Sequence, residues 1–233
     1  MGVFFYSFFC NLYTTGIRIV SLWNPKAKAW IEGRRNIFEK IRIAIDNQRT
    51  AGNHQRPIWM HCASLGEFEQ GRPLLEKIKA DYPGTQIVLT FFSPSGYEVQ
   101  KEYKGADYIF YLPMDGPRNA KRFLDAINPS LVLLVKYDFW FYYLKEIDQR
   151  KIPLLLVSAA FRKQQSFFKW YGGFQRQMLS FFTQIFVQDK TSAGLLSSLN
   201  IKSFATGDTR FDRVVSIAEK FEPIPEIEKF CGT

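Results

Sequence analysis

The amino-acid sequence predicts an α/β fold: a Rossmann-like parallel sheet with helices on both faces, preceded by a hydrophobic N-terminal helix. Three observations predict it. Seven short apolar runs recur from residue 57 onward: IWMHCA (58–63), QIVLTFF (86–92), YIFYLP (108–113), LVLLVK (131–136), LLLVSAA (154–160), QIFVQ (184–188) and SFATG (203–207). They are continuous rather than alternating, as strands buried on both faces require. Helix-like stretches such as EFEQGRPLLEKIKADY, PRNAKRFLDAIN and DKTSAGLLSSLN separate them, and the turns YPGT and INPS each end a helix just before a strand. Right-handed βαβ crossovers then make the sheet doubly wound.

The first element, VFFYSFFCNLYTTGIRIVSLW (3–23), is more apolar and aromatic than the remainder of the chain. It has neither the leading positive charge nor the small-residue cleavage site of a secretory signal. Asn11, Thr14, Thr15 and Arg18 interrupt it. Those interruptions suit an interfacial helix or a short tilted anchor better than a span of about 20 apolar residues. The basic residues on its C-terminal side, Lys26, Lys28, Arg34, Arg35, Lys40 and Arg42, favour the anionic cytoplasmic leaflet. An amphipathic helix docked on the core is the alternative. Residues 1–35 are read as a membrane-anchoring helix with its basic flank, and 36–220 as the folded domain.

Composition narrows the chemistry. The 31 basic against 22 acidic residues give a net charge of +9, which suits nucleic acid, an acidic membrane surface or a phosphorylated substrate. Cys10, Cys62 and Cys231 are scattered, so a disulfide framework is not expected and a reducing compartment fits. With only His54 and His61 as imidazoles, no metal site is expected. Catalysis falls to carboxylates and basic groups.

In a doubly wound sheet, ligands gather at the carboxyl ends of the strands. That rim comprises Ser64-Leu65-Gly66-Glu67, Ser93-Pro94-Ser95-Gly96, Met114-Asp115-Gly116, Lys136-Tyr137-Asp138, residues 158–162, Gln188-Asp189 and Gly207-Asp208-Thr209-Arg210. There is no G-x-G-x-x-G after the first strand and no Walker loop. A serine-hydrolase elbow is excluded, because Cys62 stands where the first glycine belongs and no later histidine completes a triad. Glu67 opens a helix, where the dipole favours a carboxylate and is expected to hold its pKa low. With Ser64 it forms an S-x-x-E capping box. It is also a candidate general base, beside a Gly66 that lets substrate approach the backbone, although a helix-start charge is the commoner role of such a residue. Asp138 is either the N-cap of the helix FWFYYLKEI or a second acid. The stretch 161–177, FRKQQSFFKWYGGFQRQ, interleaves basic and aromatic groups that suit phosphate or membrane.

Five ordered blocks, ASLGEFEQGRPLLEKIK, TFFSPSGYE, FYLPMDGPRNAKRFL, VKYDFW and GDTRFDRV, closely resemble the N-terminal half of the 3-deoxy-D-manno-octulosonic acid (Kdo) transferases of lipopolysaccharide synthesis. The resemblance implies the acceptor half of a GT-B glycosyltransferase that moves Kdo from CMP-Kdo to a lipid A precursor, with inversion and without metal or cofactor. It implies Glu67 as general base and Asp138 as second acid. Ser64, Gly66, Ser93, Ser95, Gly96, Lys136, Arg162 and Arg210 are then the substrate-binding residues of the rim. The partners implied are the anionic lipid acceptor, a membrane surface, and CMP-Kdo held by a C-terminal domain; nucleic acid is not among them. The location implied is the cytoplasmic face of the inner membrane. Two positions depart from the pattern. Relatives carry E-x-E-L-W where this chain has Lys136-Tyr137-Asp138-Phe139-Trp140, and an arginine where Ala160 stands, with Arg162 nearby. Residues 221–233 are expected to begin an interdomain linker, which makes the chain a fragment. A membrane-surface module that binds anionic headgroups without catalysis is the rival reading.

Overall fold

Seven runs of buried aliphatic and aromatic residues become strands: β1 (Ile58–Cys62), β2 (Ile87–Phe91), β3 (Tyr108–Tyr111), β4 (Leu131–Val135), β5 (Leu154–Ala159), β6 (Gln184–Val187) and β7 (Phe204–Ala205). These come from a computed structural model that describes residues 2–50, 55–219 and 230. His54, Cys231 and nearly all of the expected linker lie outside the described residues. All strands pair in parallel, in the order β3-β2-β1-β4-β5-β6-β7. The expected α/β fold is therefore present, with every predicted strand in place. The winding reverses between β1 and β4, which lie side by side with Ile58 opposite Leu131 and His61 opposite Leu134. The carboxyl ends of these two strands flank the crevice where such sheets bind ligands.

Alternation along each strand supplies two cores. Trp59 enters one, against Phe123 and Tyr143 at ring distances of 4.9 and 5.7 Å. Met60 and Cys62 enter the other, beneath α4 (Leu65–Asp81), with Phe68 and Leu75. The first core is covered by α3 (Ile37–Thr50), α6 (Pro117–Ile127) and α7 (Phe141–Gln149). In α6, Ala120, Phe123, Leu124 and Ile127 share one face, and Asn128 ends the helix in the left-handed conformation at φ 43°. Ile37, Ile41 and Ile45 recur at helical spacing in α3, a segment that the sequence reading treated only as basic flank and domain start.

The hydrophobic N-terminus forms α1 (Gly2–Val20), and one of its faces docks on the domain. The Tyr6 hydroxyl donates to Asp115 Oδ2 at 2.6 Å, the Ser7 and Tyr142 hydroxyls meet at 2.6 Å, and Cys10 is buried. Asp115 also accepts from the backbone N–H groups of Tyr142 and Tyr143 at 3.0 and 3.1 Å. Burial pushes its pKa up from 3.8 to about 6 despite these donors. The opposite face of α1 is bare: Phe4, Phe5, Phe8, Phe9 and Leu12 are all exposed.

Arg34 departs from its reading as a surface cation. It follows α2 (Pro25–Gly33), and its guanidinium is enclosed, donating to the carbonyls of Leu112 (2.9 Å), Phe92 (2.7 Å) and Trp30 (3.2 Å). It stacks 3.8 Å above the Trp30 ring, and burial lowers its pKa to about 9. The side chain is a bolt between α2 and the exits of β2 and β3, not a contact for a lipid surface.

Tyr6→Phe removes a hydrogen bond to a buried carboxylate and is expected to cost about 2 kcal/mol, read from the urea midpoint. Asp115 binds its proton more tightly folded than unfolded. Its contribution to stability is therefore full below the unfolded pKa and is lost as pH rises through about 6. Asp115→Asn should flatten the stability profile between pH 4 and 6, checked by denaturation at a series of pH values.

Candidate functional site

The site begins where β1 runs out. Ser64 is extended at φ −142° and occupies the N-cap position of α4, but its side chain makes no capping bond. The expected capping box is not formed. Glu67 Oε2 instead accepts from the N–H of Ala63, one residue earlier, at 2.5 Å. This holds the carboxylate against the strand exit and leaves the Ser64 hydroxyl to the rim. Gly66 beside it is exposed, and nothing stands within 4 Å of where a Cβ would lie.

The second carboxylate arrives from β4. Lys136 takes the left-handed conformation at φ 65°, and its N–H donates to the carbonyl of Val157 at 3.0 Å. The chain is thereby turned off the sheet, and Asp138 comes back over the end of β1, where its Oδ2 lies 2.7 Å from His61 Nε2. Asp138 does not cap a helix, as one sequence reading had it: α7 starts at Phe141, with Trp140 in the cap position. His61 is fully buried, and its Nδ1 lies 2.8 Å from Thr90 Oγ1, which accepts from Trp59 Nε1 at 2.8 Å. His61 Nε2–H donates to Asp138, and its Nδ1 pairs with the Thr90 hydroxyl. That hydrogen-bond assignment leaves every member of the chain satisfied.

Glu67 and Asp138 are close enough to repel. Burial raises the pKa of Glu67, the charge of Asp138 raises it further, and the Ala63 N–H, His61 and Lys136 oppose. The sequence reading expected the helix dipole to keep this pKa low; loss of water and a neighbouring carboxylate outweigh the dipole here. The same two acids, after burial itself, drive the Cys62 thiol upward, which leaves it an inert neutral group in the core.

A third arc closes the cluster from α10 (Thr209–Glu219). Thr209 Oγ1 donates to the carbonyl of Gln70 at 2.6 Å, and the Gln70 amide reaches Asp208 Oδ1 at 3.4 Å. Arg210 forks onto Asp208 Oδ2 through Nε (2.9 Å) and Nη2 (2.5 Å), and this pairing lowers the Asp208 pKa. The charge of Lys136 lowers the pKa of both Glu67 and Asp208.

The remaining rim residues divide. The Ser93 N–H donates to the carbonyl of Ala63 at 2.8 Å, lashing the exit of β2 to that of β1. Its hydroxyl lies 2.8 Å from that of Ser95 at the start of α5 (Pro94–Gln100). Gly96 is buried, and a Cβ there would stand 2.3 Å from the Phe91 ring, so its role is close packing rather than ligand contact. Arg162 is exposed on the neighbouring rim, where its charge acts on Tyr137, whose hydroxyl donates to the carbonyl of Ala160. It does not join the Glu67 cluster. Sequence reasoning missed His61 as the brace of Asp138, and Gln70 as the link to Asp208. A histidine inside an apolar strand, three residues before the rim, was the available signal for the first. Among the described residues, no group of three or more His, Cys, Asp or Glu side chains converges as a metal site.

A family model described as 3-deoxy-D-manno-octulosonic-acid transferase matches residues 35–213. The chain belongs to the Kdo transferase family. The match covers every member of the cluster, from His61 to Arg210, and leaves α1 outside it. Curated Kdo transferases of similar sequence include one from Haemophilus influenzae, 27% identical over 66% of this chain and 38% of its own length. One from Aquifex aeolicus is 34% identical over 46% of this chain and 29% of its own, and one from Bordetella pertussis is 24% identical over 87% and 50%. The chain thus spans half or less of the length of these relatives. In fold it is similar to solved UDP-GlcNAc 2-epimerases. That from Neisseria meningitidis has a TM-score of 0.53 and 18% identity over 70% of this chain and 50% of its own. That from Methanocaldococcus jannaschii has a TM-score of 0.52 and 16% identity over 71% and 50%.

Asp138→Asn removes the charge that adds to burial at Glu67. The Glu67 pKa is expected to fall toward, but not reach, the ordinary carboxylate range, because burial remains. A carbon-detected NMR titration of the Glu67 carboxyl checks this.

Proposed function

We propose that this domain is the acceptor-binding half of a glycosyltransferase that moves Kdo from CMP-Kdo to the lipid A precursor lipid IVA. Glu67 is its general base. The observation that carries the reading is the meeting of Glu67 and Asp138 at the crevice between β1 and β4, inside a domain of the Kdo transferase family. In this reading Glu67 takes the proton of an acceptor hydroxyl. The freed oxygen attacks the anomeric carbon of Kdo from the face opposite the leaving group, and the bond to the CMP phosphate breaks with its electron pair staying on CMP. The configuration inverts, and neither metal nor cofactor takes part. CMP-Kdo is the donor substrate, held by a second domain.

The raised pKa of Glu67 supports this role, since a more basic carboxylate accepts a hydroxyl proton more readily. Asp138 keeps it basic through its charge, and His61 keeps Asp138 in place. Ser64, Gly66, Ser93 and Ser95 line the approach. Lys136 and Arg210 set positive charge beside an anionic acceptor, with Arg162 further along the rim. The domain works at the cytoplasmic face of the inner membrane, with the bare side of α1 toward the lipid.

With a donor-binding domain supplied, Glu67→Gln should lower turnover by about 10²- to 10⁴-fold while lipid IVA binding persists. Turnover should rise with pH through the Glu67 pKa, and Asp138→Asn should move that limb to lower pH. Unchanged turnover in Glu67→Gln would remove Glu67 as the base, whereas headgroup binding without turnover in the unaltered protein would favour the rival, a membrane-surface module without catalysis.

A further inference from the structure

At roughly 100° per residue, the side chains of α1 sort into two arcs. Phe4, Phe5, Phe8, Phe9, Leu12 and Ile19 fall within one arc of roughly 140°, and all are exposed. Tyr6, Cys10 and Tyr13 occupy the other, where they meet Asp115, the core, and the rings of Trp30 and Phe92. The helix is about 28 Å long, enough to cross a bilayer by length alone. Its docked face argues otherwise. The domain touches it from Gly2, which packs on Phe174, through Tyr13, so a crossing would carry the domain's polar backbone into hydrocarbon or break the Tyr6 and Ser7 hydrogen bonds.

A second exposed aromatic group lies beside the N-terminal turn of α1. Trp170 is 92% exposed and Tyr171 59%. Phe174, in the following helix α8 (Gly173–Leu179), packs 5.7 Å from the Tyr6 ring. The tip is held rigid. Arg176 Nη1 donates to the carbonyls of Phe167 and Lys169 at 3.0 and 2.8 Å. A Cβ on Gly172 would stand 1.9 Å from the Ser166 carbonyl oxygen, so only glycine lets the loop close. A braced loop that holds a tryptophan in the open matches the residue preference of the membrane–water boundary. Exposed cations stand close along the chain to both aromatic groups: Arg18 and Lys26 at and just after the end of α1, and Arg162 and Lys163 ahead of Trp170.

We propose that the domain rests on an anionic lipid bilayer through two contacts, the bare face of α1 and the Trp170–Tyr171 tip, so that α1 lies along the surface instead of crossing it. The proposal builds on the membrane-surface part of the proposed function and is independent of Glu67. The full chain is tested by co-sedimentation with phosphatidylglycerol-containing vesicles and with neutral phosphatidylcholine vesicles. Trp170→Ala with Tyr171→Ala should weaken binding to the anionic vesicles by about tenfold or more, with the circular dichroism unchanged. Undiminished binding overturns the second contact. Equal binding to both vesicle types overturns the anionic preference. A fluorophore on Leu12→Cys, in a Cys231→Ser background, should be quenched by lipids brominated near the headgroup; quenching only by lipids brominated at the chain ends means that α1 spans. If the unaltered chain sediments with neither vesicle, the membrane reading fails and this proposal fails with it, whatever Glu67→Gln does to turnover.

Discussion

The pairing of β1 with β4 is the constraint on which the rest depends. It reverses the winding of the sheet and brings together two strand exits separated by about seventy residues of chain. One exit delivers Glu67 on the first turn of a helix, and the other delivers Asp138 through the left-handed turn at Lys136. Two carboxylates this close, away from water, oppose one another. The arrangement persists because each has its own tether, the Ala63 amide for Glu67 and the His61 imidazole for Asp138. The hydrogen-bond chain through Thr90 and Trp59 roots the second tether in the core, where neighbouring side chains leave little room to shift.

A second brace ties the N-terminal helices to the same rim. Arg34 binds carbonyls from α2 and from the exits of β2 and β3, and the Phe92 ring is shared by Tyr13, Trp30 and Trp140 at 6.0, 5.6 and 4.6 Å. Ser93 comes directly after it and is lashed to Ala63 beside Glu67. The face of the molecule that carries α1 and the crevice that carries the carboxylates are thus joined by one continuous packed layer. Placing α1 against a surface fixes where the crevice points.

The strands were legible because a strand buried on both faces is a local signal: a short continuous apolar run between turn residues. All seven are found. The rim was legible for the same reason, since strand ends locate it. What could not be read was set by distant parts of the chain. Asp138 beside an aromatic run looks like a helix cap until β1 brings His61 to it. The helix dipole at Glu67 is visible in sequence, whereas the burial and the Asp138 charge that overcome it come from packing. Gly96 looked like ligand contact and proves to be a space left for Phe91. Arg34 looked like one cation among several, although only the fold encloses it among carbonyls and rings. The isoleucines of α3 were readable, but the basic residues between them drew the reading toward the surface.

The docked face of α1 has a consequence in time. The partners of Tyr6 and Ser7 are Asp115 and Tyr142, which lie 109 and 135 residues further along the chain. At a synthesis rate of roughly 5–20 residues per second, α1 leaves the ribosome on the order of 5–30 s before those partners exist. During that interval both its faces are open. The nascent helix therefore meets its surroundings, chaperone or lipid, before it meets its own domain, and the order of synthesis gives the outer contact precedence over the inner one.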